Sequence, residues 1–354
     1  MLGQLPYAFR DNNFNMLRLV AASLVTVEHA YHFIGLPDPV ERIFGLGTGW
    51  MAVSVFFMMS GYLIHRSIIS SRDVKQFMLN RNLRILPGLW VMLVMTTVFL
   101  GVFESTVPLS EFFRSPHTWS YVFGNAALYF PHQELPGVFH NNPLTAVNGS
   151  LWTLRFEYTC YLVILVLFIF GILSNKRYFV IFCIVFAFVY LAVEGGSFFG
   201  YGGHSMLDDT RFLPRFSRLF LAFLMGTALS VFYGSYRIRG WHVGVTFLLL
   251  VPASFTFLYE AALTAFMAVG IFYFAYLQLP ELKSLRTMPD ISYGMYIYAF
   301  PIQQILVAHY PELYPALNAL FSILIAAIPA TISWFVIEKP ALSLKALRRA
   351  PAAL

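Results

Sequence analysis

Long apolar stretches, separated by short polar connections, run through almost the whole chain. Most of them have the length that a helix needs to cross about 30 Å of hydrocarbon. The pattern predicts an all-α, polytopic integral membrane helix bundle of about ten transmembrane helices, with no appended soluble domain. The predicted spans are 17–35, 48–65, 85–103, 150–173, 178–193, 212–233, 243–259, 261–279, 291–308 and 316–337. The apolar stretch 119–130 is too short to cross and predicts an interfacial or re-entrant helix.

Two ionisable side chains, Arg18 and His29, interrupt the first apolar stretch. Their separation corresponds to about three helical turns, so both side chains point along one face, about 16 Å apart along the helix axis. Ionisable groups inside a membrane are costly in lipid and mark functional sites by default. A snorkelling arginine and a hydrogen-bonded histidine are the structural alternative at this point.

The composition is that of a membrane protein: 58% of the residues are hydrophobic and 11% are charged, against about 25% charged in soluble domains. Cys160 and Cys183 both lie in apolar stretches, which argues against a disulfide framework or a metal site. The polar start of the chain leads directly into a full span, which predicts an uncleaved anchor rather than a signal peptide.

The positions of the basic residues predict the orientation, because Lys and Arg gather on the cytoplasmic side of a membrane. The net charge of +6 follows this topology, and no nucleic-acid partner is expected. We expect a multi-pass protein of the inner (cytoplasmic) membrane with both termini in the cytoplasm. With the N-terminus inside, that side receives all 23 lysines and arginines except Arg42, Arg114, Arg155, Arg211, Arg215 and Arg218.

Six segments in order over residues 12–340 resemble the membrane-bound acyltransferase family 3, whose members transfer acyl groups to extracytoplasmic sugars. The segments are NNFNMLRLVAASLVTVEHAY, VSVFFMMSGYLI, RNLRILPGLW, NGSLWTLRFEY, ISYGMYIYAFPIQQ and IEKP. Each segment alone is a weak pattern of aromatic and small residues, but six in order are a specific signal. The resemblance implies one transmembrane acyltransferase domain over residues 1–354.

The resemblance also implies roles for individual residues. His29 corresponds to the family's essential histidine, and Arg18 corresponds to its partner. Arg81 and Arg84 match an Arg-x-x-Arg element at the cytoplasmic start of the third span. Glu157 matches the acidic residue that follows a Leu-Trp-Ser/Thr element.

The chain departs from the family pattern at three positions. Asn15 stands where many members have Asp, which would leave Arg18 without that carboxylate partner. Glu28 stands where a small or apolar residue is usual, and a hydrogen bond to a neighbouring span is expected for it. Ala299 stands where many relatives carry a histidine.

The basic residues of the predicted cytoplasmic loop suit an acyl-CoA donor, which carries several phosphate charges. Arginine makes forked contacts with phosphate, and Arg81 and Arg84 share one side of the helix that enters the membrane. We expect them to bind the donor, with acetyl-CoA first among the acyl-CoA donors, and Arg18 to extend the positive path inward. Arg66 is a further candidate, although positive-inside topology and anionic lipid explain it more simply.

The chemistry of acyl transfer is predicted to centre on His29, whose imidazole suits a base near neutral pH. It could deprotonate a sugar hydroxyl or accept the acyl group itself, and the sequence does not choose between these roles. Glu157 could orient the imidazole or hold the acceptor hydroxyl. Trp152 could stack on a sugar ring or belong to an interfacial belt, and Arg155, near the outer end of the same span, is a further acceptor candidate.

Three arginines on the predicted outer side, Arg211, Arg215 and Arg218, have the spacing of one helical face. They could hold an anionic acceptor such as a uronate or a lipid-linked pyrophosphate. Pairing with Asp208 and Asp209 is the structural alternative.

These observations predict an enzyme that moves an acyl group, with acetyl expected, from cytoplasmic acyl-CoA to a hydroxyl of an extracytoplasmic glycan, such as exopolysaccharide or lipopolysaccharide. The expected partners are acyl-CoA, a carbohydrate or lipid-linked sugar, and membrane lipid; no metal is expected. A transporter or flippase for an anionic or lipid-linked sugar is the alternative, although the chain lacks the internal repeats typical of such transporters. A purely structural membrane partner would leave the central His and Glu unexplained.

Overall fold

The computed structural model describes residues 12–198, 212–232, 238–278 and 280–347, and this part of the chain contains helices and no β-strand. The predicted all-α class is thereby confirmed. Short 3₁₀ turns cover Ile172–Ser174 and Pro280–Leu282, and a π-helical turn covers Trp334–Glu338. The α-helices are α1 (Phe14–His32), α2 (Glu41–Phe44), α3 (Thr48–Ser71), α4 (Val74–Phe103), α5 (Leu109–Arg114), α6 (Pro116–Ala126), α7 (Trp152–Ile169), α8 (Lys176–Phe198), α9 (Phe212–Phe232), α10 (Gly240–Leu248), α11 (Leu250–Ala253), α12 (Tyr259–Ala275), α13 (Lys283–Arg286), α14 (Ser292–His309), α15 (Pro315–Ser333) and α16 (Lys339–Leu347).

Six helical segments of the described chain are long and apolar enough to cross a membrane, namely α3, α4, α7, α8, α9 and the run from α15 into α16. Helices α1 and α14 have sufficient length but are more polar, because α1 carries Arg18, Glu28 and His29, and α14 carries Gln303 and Gln304. The predicted span 243–259 is interrupted, since α10 and α11 together end at Ala253. Helix α6 occupies the short stretch that was expected not to cross.

The chain folds into two compact units. Unit 1 contains the described residues of Met1–Leu17, Val53–Val74 and Phe156–Met288. Unit 2 contains those of Arg18–Ala52, Lys75–Arg155 and Pro289–Leu354.

Two glycines allow α3 and α9 to cross closely within unit 1. A Cβ atom on Gly61 would overlap the carbonyl oxygen of Phe223, and a Cβ atom on Gly226 would overlap that of Met58. The hydroxyl of Thr227 adds a hydrogen bond of 3.3 Å to the carbonyl of Gly61. Small residues that bring backbones together are the usual basis of helix packing in membranes, where apolar burial gives little driving force.

Helix α14 is central to unit 2, and its neighbour α15 packs along it. A Cβ atom on Gly294 would lie 2.7 Å from the Cα atom of Ala330, so the two helices touch through their backbones. Farther along, the amide of Gln303 donates to Asn318 on α15 at 3.2 Å and to the carbonyl of Thr26 on α1 at 2.8 Å. One buried amide therefore links α14 to two other helices.

The segment that precedes α7 is attached to α14 by further hydrogen bonds. The amide of Gln304 donates to the carbonyl oxygens of Leu144 and Ala146 at 2.8 and 2.6 Å. The side chain of Asn148 donates to the carbonyl of Ile297 at 2.8 Å. Buried polar groups are hydrogen-bonded in folded proteins. The polar side chains of α14 accordingly make specific contacts within unit 2.

The close crossing in unit 1 predicts the effect of a single methyl group at Gly226. We expect Gly226→Ala to destabilise the detergent-solubilised protein by about 1–3 kcal/mol, because the added Cβ must push the two helices apart. Thermal unfolding of the purified protein measures this change. Gly270→Ala is the matched control, since a Cβ there meets nothing within 4 Å, and an equal loss in both variants would contradict the close crossing.

Candidate functional site

Two of the predicted donor-binding arginines meet on one carboxylate, that of Asp290, just before α14. Nη1 of Arg18 lies 3.1 Å from Oδ2 of Asp290, and Nη2 of Arg84 lies 2.7 Å from the same oxygen. The hydroxyl of Ser292 donates to the other oxygen at 2.5 Å. The Asp290 side chain is 10% exposed, and the two arginine side chains are about one-fifth exposed. The carboxyl of Glu338 also interacts electrostatically with Arg84 and with Asp290, so two cations and two acidic side chains meet at this point.

The surroundings of Asp290 stabilise its charged form. Burial by itself raises the pKa of this carboxyl, but the guanidinium groups of Arg84 and Arg18 and the hydroxyl of Ser292 together hold the pKa well below its ordinary value. Asp290 is therefore a carboxylate at any physiological pH. It also supplies the partner that Arg18 was expected to lack, because Asn15 instead donates to the carbonyl of Met288 at 3.2 Å.

Arg81 lies one turn before Arg84 in α4. Its guanidinium carbon lies 5.9 Å from the ring centroid of Phe77. The guanidinium of Arg84 lies 6.0 Å from the ring centroid of Trp334, in the π-helical turn. A guanidinium group at such a distance from a ring face is attracted to the ring, which restricts both side chains.

His29 lies on α1, which is one uninterrupted helix from Phe14 to His32. The predicted relation to Arg18 therefore holds: about three turns and about 16 Å along the axis separate the two residues. The His29 ring is partly buried and meets the edge of Phe300, with ring centroids 4.9 Å apart and an interplanar angle of 80°. Within the described residues, no hydrogen bond engages either of its ring nitrogens.

Phe300 is itself confined by its neighbours. A Cβ atom on Gly149 would lie 2.6 Å from the Phe300 ring, and Phe33 packs against the ring with a centroid distance of 5.2 Å. The ring is 3% exposed. Phe300 thus restricts the orientation of the His29 imidazole, a role that the sequence did not reveal.

Glu28, next to His29, caps the start of α3. The backbone N–H groups of Gly49 and Trp50 donate to its carboxylate, and a Cβ atom on Gly47 or Gly49 would overlap that carboxylate. These hydrogen bonds satisfy backbone N–H groups that have no partner within the helix. The expected hydrogen bond to a neighbouring span is confirmed, and glycines make room for the unusual acid.

Asp38 completes the cap of α3. The backbone N–H of Thr48 donates to its carboxylate at 2.8 Å, and the Thr48 hydroxyl donates to its other oxygen. Burial raises the pKa of Asp38, but these hydrogen bonds outweigh burial and lower it. The side chains of Glu28 and Asp38 therefore both accept hydrogen bonds from backbone N–H groups at the start of α3.

Glu157 and Arg66 belong to unit 1, whereas His29 belongs to unit 2. The Glu157 carboxylate accepts a hydrogen bond of 3.1 Å from the Ser60 hydroxyl and another from the Tyr161 hydroxyl. Arg66 donates to the Tyr62 hydroxyl at 3.0 Å. The geometry of each unit thus explains how these side chains are held, and their functional roles stay predictions.

Trp152 and Arg155, the acceptor candidates at the start of α7, lie in unit 2. Arg155 is 6% exposed, so its guanidinium is buried in the protein. The indole of Trp152 is partly exposed and parallel to that of Trp50, with 6.3 Å between the ring centroids.

The predicted face of three arginines is only partly described. Arg211 lies outside the described residues, and Arg215 is half-buried on α9 in unit 1. Arg218 pairs with Glu194 at 2.7 Å and with Glu260 at 3.2 Å. Two carboxylates therefore compensate its positive charge, whereas Asp208 and Asp209, the partners expected from the sequence, lie outside the described residues.

Asp290 is the site residue that the sequence analysis missed. It immediately precedes the ISYGMYIYAFPIQQ segment, and an acidic residue at the end of a predicted span, opposite several basic residues, was the available signal. Its partners are 272 and 206 residues away in the chain, so no local pattern identifies them.

Comparison with known proteins agrees with the family resemblance of the sequence. A family model described as an acyltransferase domain matches residues 11–338. An O-acetyl transferase of Shigella phage Sf6 is 29% identical over 338 residues, which cover 93% of this chain and 96% of the relative. No solved structure gives a significant match.

Two further relatives match over shorter regions. Nodulation protein 10 of Rhizobium leguminosarum bv. viciae is 33% identical over 162 residues, covering 43% of this chain and 42% of the relative. Peptidoglycan O-acetyltransferase OatA of Listeria monocytogenes is 28% identical over 128 residues, covering 32% of this chain and 19% of the relative.

The ion cluster predicts a pH-dependent contribution to stability. Because the pKa of Asp290 is lower in the folded protein than in the unfolded one, its contribution is complete above about pH 4 and is lost as the pH falls through the folded value. We expect Asp290→Asn to cost on the order of 3 kcal/mol at pH 7, and the difference from the wild type to shrink in acid. Unfolding measured between pH 3 and 8, with the exposed Glu111→Gln as control, tests this; a difference that grows in acid would contradict it.

Proposed function

Because this chain belongs to the membrane-bound acyltransferase family 3 and is an acyl-transferring enzyme, we propose that it moves an acetyl group from acetyl-CoA to a hydroxyl of a glycan outside the cytoplasmic membrane. Two relatives support the nature of the product. One is named an O-acetyl transferase, and the other is named for O-acetylation of peptidoglycan.

The observation that carries the proposal is the arrangement of charge and imidazole along α1. Arg18 and Arg84 both contact Asp290, and Arg81 lies one turn from Arg84. The forked N–H donors of arginine suit the phosphates of CoA. His29 lies about 16 Å farther along α1, a separation that the extended pantetheine arm of CoA would bridge, so the thioester would reach the imidazole while the phosphates stay with the arginines.

At the imidazole, acyl transfer needs a base. We assign this role to His29: a ring nitrogen takes the proton of the sugar hydroxyl, the hydroxyl oxygen attacks the thioester carbonyl, and the C–S bond breaks. The CoA thiolate then takes the proton from the imidazolium. The unengaged ring nitrogens and the contact with Phe300 support this role.

Glu157 is proposed to support the reaction, by orienting the imidazole or holding the acceptor hydroxyl, on the strength of the family pattern alone. In unit 1 its carboxylate already accepts hydrogen bonds from Ser60 and Tyr161.

We also propose about ten spans in the inner membrane, with both termini in the cytoplasm, as the apolar stretches and the distribution of basic residues predict. A cysteine placed at the exposed Glu134 should then react with an impermeant maleimide in intact cells.

Removal of the imidazole should abolish transfer. We expect His29→Ala to lower the rate of acetylation by about 100-fold or more, the usual contribution of a general base. Labelled acetyl-CoA and glycan from a strain that lacks the gene provide the assay. His32→Ala, an exposed histidine in the same helix, is the matched control, and a His29→Ala variant with wild-type activity would refute the mechanism. Trapping of acyl-histidine would instead make His29 the acyl carrier.

The donor site should distinguish acetyl-CoA from a donor without phosphates. We expect Arg84→Gln to raise KM for acetyl-CoA by about 10-fold to 100-fold, the effect of one charge-assisted hydrogen bond, and to leave KM for acetylpantetheine unchanged. Steady-state kinetics measures the KM for each of the two donors, and Arg42→Gln, at an exposed arginine, is the control. Equal effects on both donors would show that Arg84 acts through the fold and not through the phosphates.

A further inference from the structure

Trp50 and Trp152 form a pair of parallel aromatic rings in unit 2. Their planes differ by 5° and their centroids are 6.3 Å apart. Trp50 lies in the first turn of α3 and Trp152 is the first residue of α7. Both side chains are partly exposed. Two parallel, partly exposed indole rings therefore lie where two helices begin.

Each of the two helix starts is held by a hydrogen-bonded side chain. The Glu28 carboxylate binds the backbone N–H of Trp50. On the other side, the hydroxyl of Tyr296 donates to the carbonyl of Ser150 at 2.9 Å and shares a hydrogen bond of 2.6 Å with the hydroxyl of Thr153. These contacts flank both tryptophans and hold the backbone from which the two indoles extend.

The tryptophan pair is connected to the proposed catalytic histidine. Glu28, which holds the backbone of Trp50, immediately precedes His29 in α1. In the proposed orientation, the starts of α3 and α7 both face the outer side of the membrane. The acceptor would approach from that side, and its hydroxyl would then reach the imidazole of His29.

We propose that Trp50 and Trp152 are the acceptor-binding platform, and that they stack on the C–H face of an uncharged pyranose ring of the glycan. This inference rests on the proposed function and extends it to the class of acceptor. A pyranose ring presents C–H groups on its face and hydroxyls at its edge. The negative π face of an indole attracts the C–H groups, while the hydroxyls stay free for chemistry or for water.

The chemistry of the pair favours a neutral sugar. The two indoles carry no charge with which to attract an anionic ring, and the carboxyl of Glu28 binds the backbone N–H of Trp50. Stacking contributes no ionic attraction, so acceptor binding should be insensitive to salt.

The test compares substitutions that keep or remove the aromatic face. The full-length protein is assayed with labelled acetyl-CoA and increasing amounts of polysaccharide extracted from a strain of the source organism that lacks the gene. We expect Trp50→Leu and Trp152→Leu each to raise KM for the polysaccharide by about tenfold. The KM for acetyl-CoA should stay unchanged, and Trp50→Phe and Trp152→Phe should retain most of the acceptor affinity.

Trp119→Leu is the matched control, because Trp119 is an exposed tryptophan of α6 outside the pair. A polysaccharide KM that is unchanged in both leucine variants, or that rises with salt in the wild type, overturns the inference. Equal increases in both KM values, with the phenylalanine variants affected as strongly, also overturn it, since they indicate a structural pair. If the wild type itself transfers no acetyl group to the polysaccharide, the proposed function has failed instead.

Discussion

The pairing of Asp290 with two arginines is the interaction on which the candidate site depends. A carboxylate that is only 10% exposed is costly unless cations compensate it. Arg18 from α1 and Arg84 from α4 do so on a single oxygen, and this joins two helices of unit 2 to the start of α14. The same guanidinium groups carry the forked N–H donors that the proposed contact with the phosphates of CoA would use.

The polar residues of α14 extend this principle along unit 2. Gln303 and Gln304 are fully buried and bind α1, α15 and the segment before α7. Buried amides have little access to bulk water, and these two donate to protein acceptors. Unit 1 combines close backbone contact at Gly61 and Gly226 with the ion pairs of Arg218. In unit 2, the directional bonds of α14 define the orientation of its neighbours more narrowly than apolar contact does.

At the other end of α1, Glu28 has a structural role directly beside His29, the proposed catalytic residue. Glu28 caps α3 and thereby anchors the turn that contains His29, while Phe300 limits the imidazole from the side. Glycines at positions 47 and 49 make this arrangement possible, because a larger residue would occupy the space of the carboxylate. The departure from the family pattern at position 28 is therefore compensated locally, and it also positions Trp50.

The sequence by itself determined the all-α class, the family, most of the helices and the shared face of Arg18 and His29. These features are local, since hydrophobicity and helical period depend on neighbouring residues. It did not identify Asp290, Phe300, the pairing of Trp50 with Trp152, or the carboxylates that neutralise Arg218. Only the tertiary structure decided these, because each joins residues distant in the chain, such as the 272 positions between Arg18 and Asp290. Which buried charge meets which partner is settled by desolvation and packing in three dimensions, and no local pattern reports it.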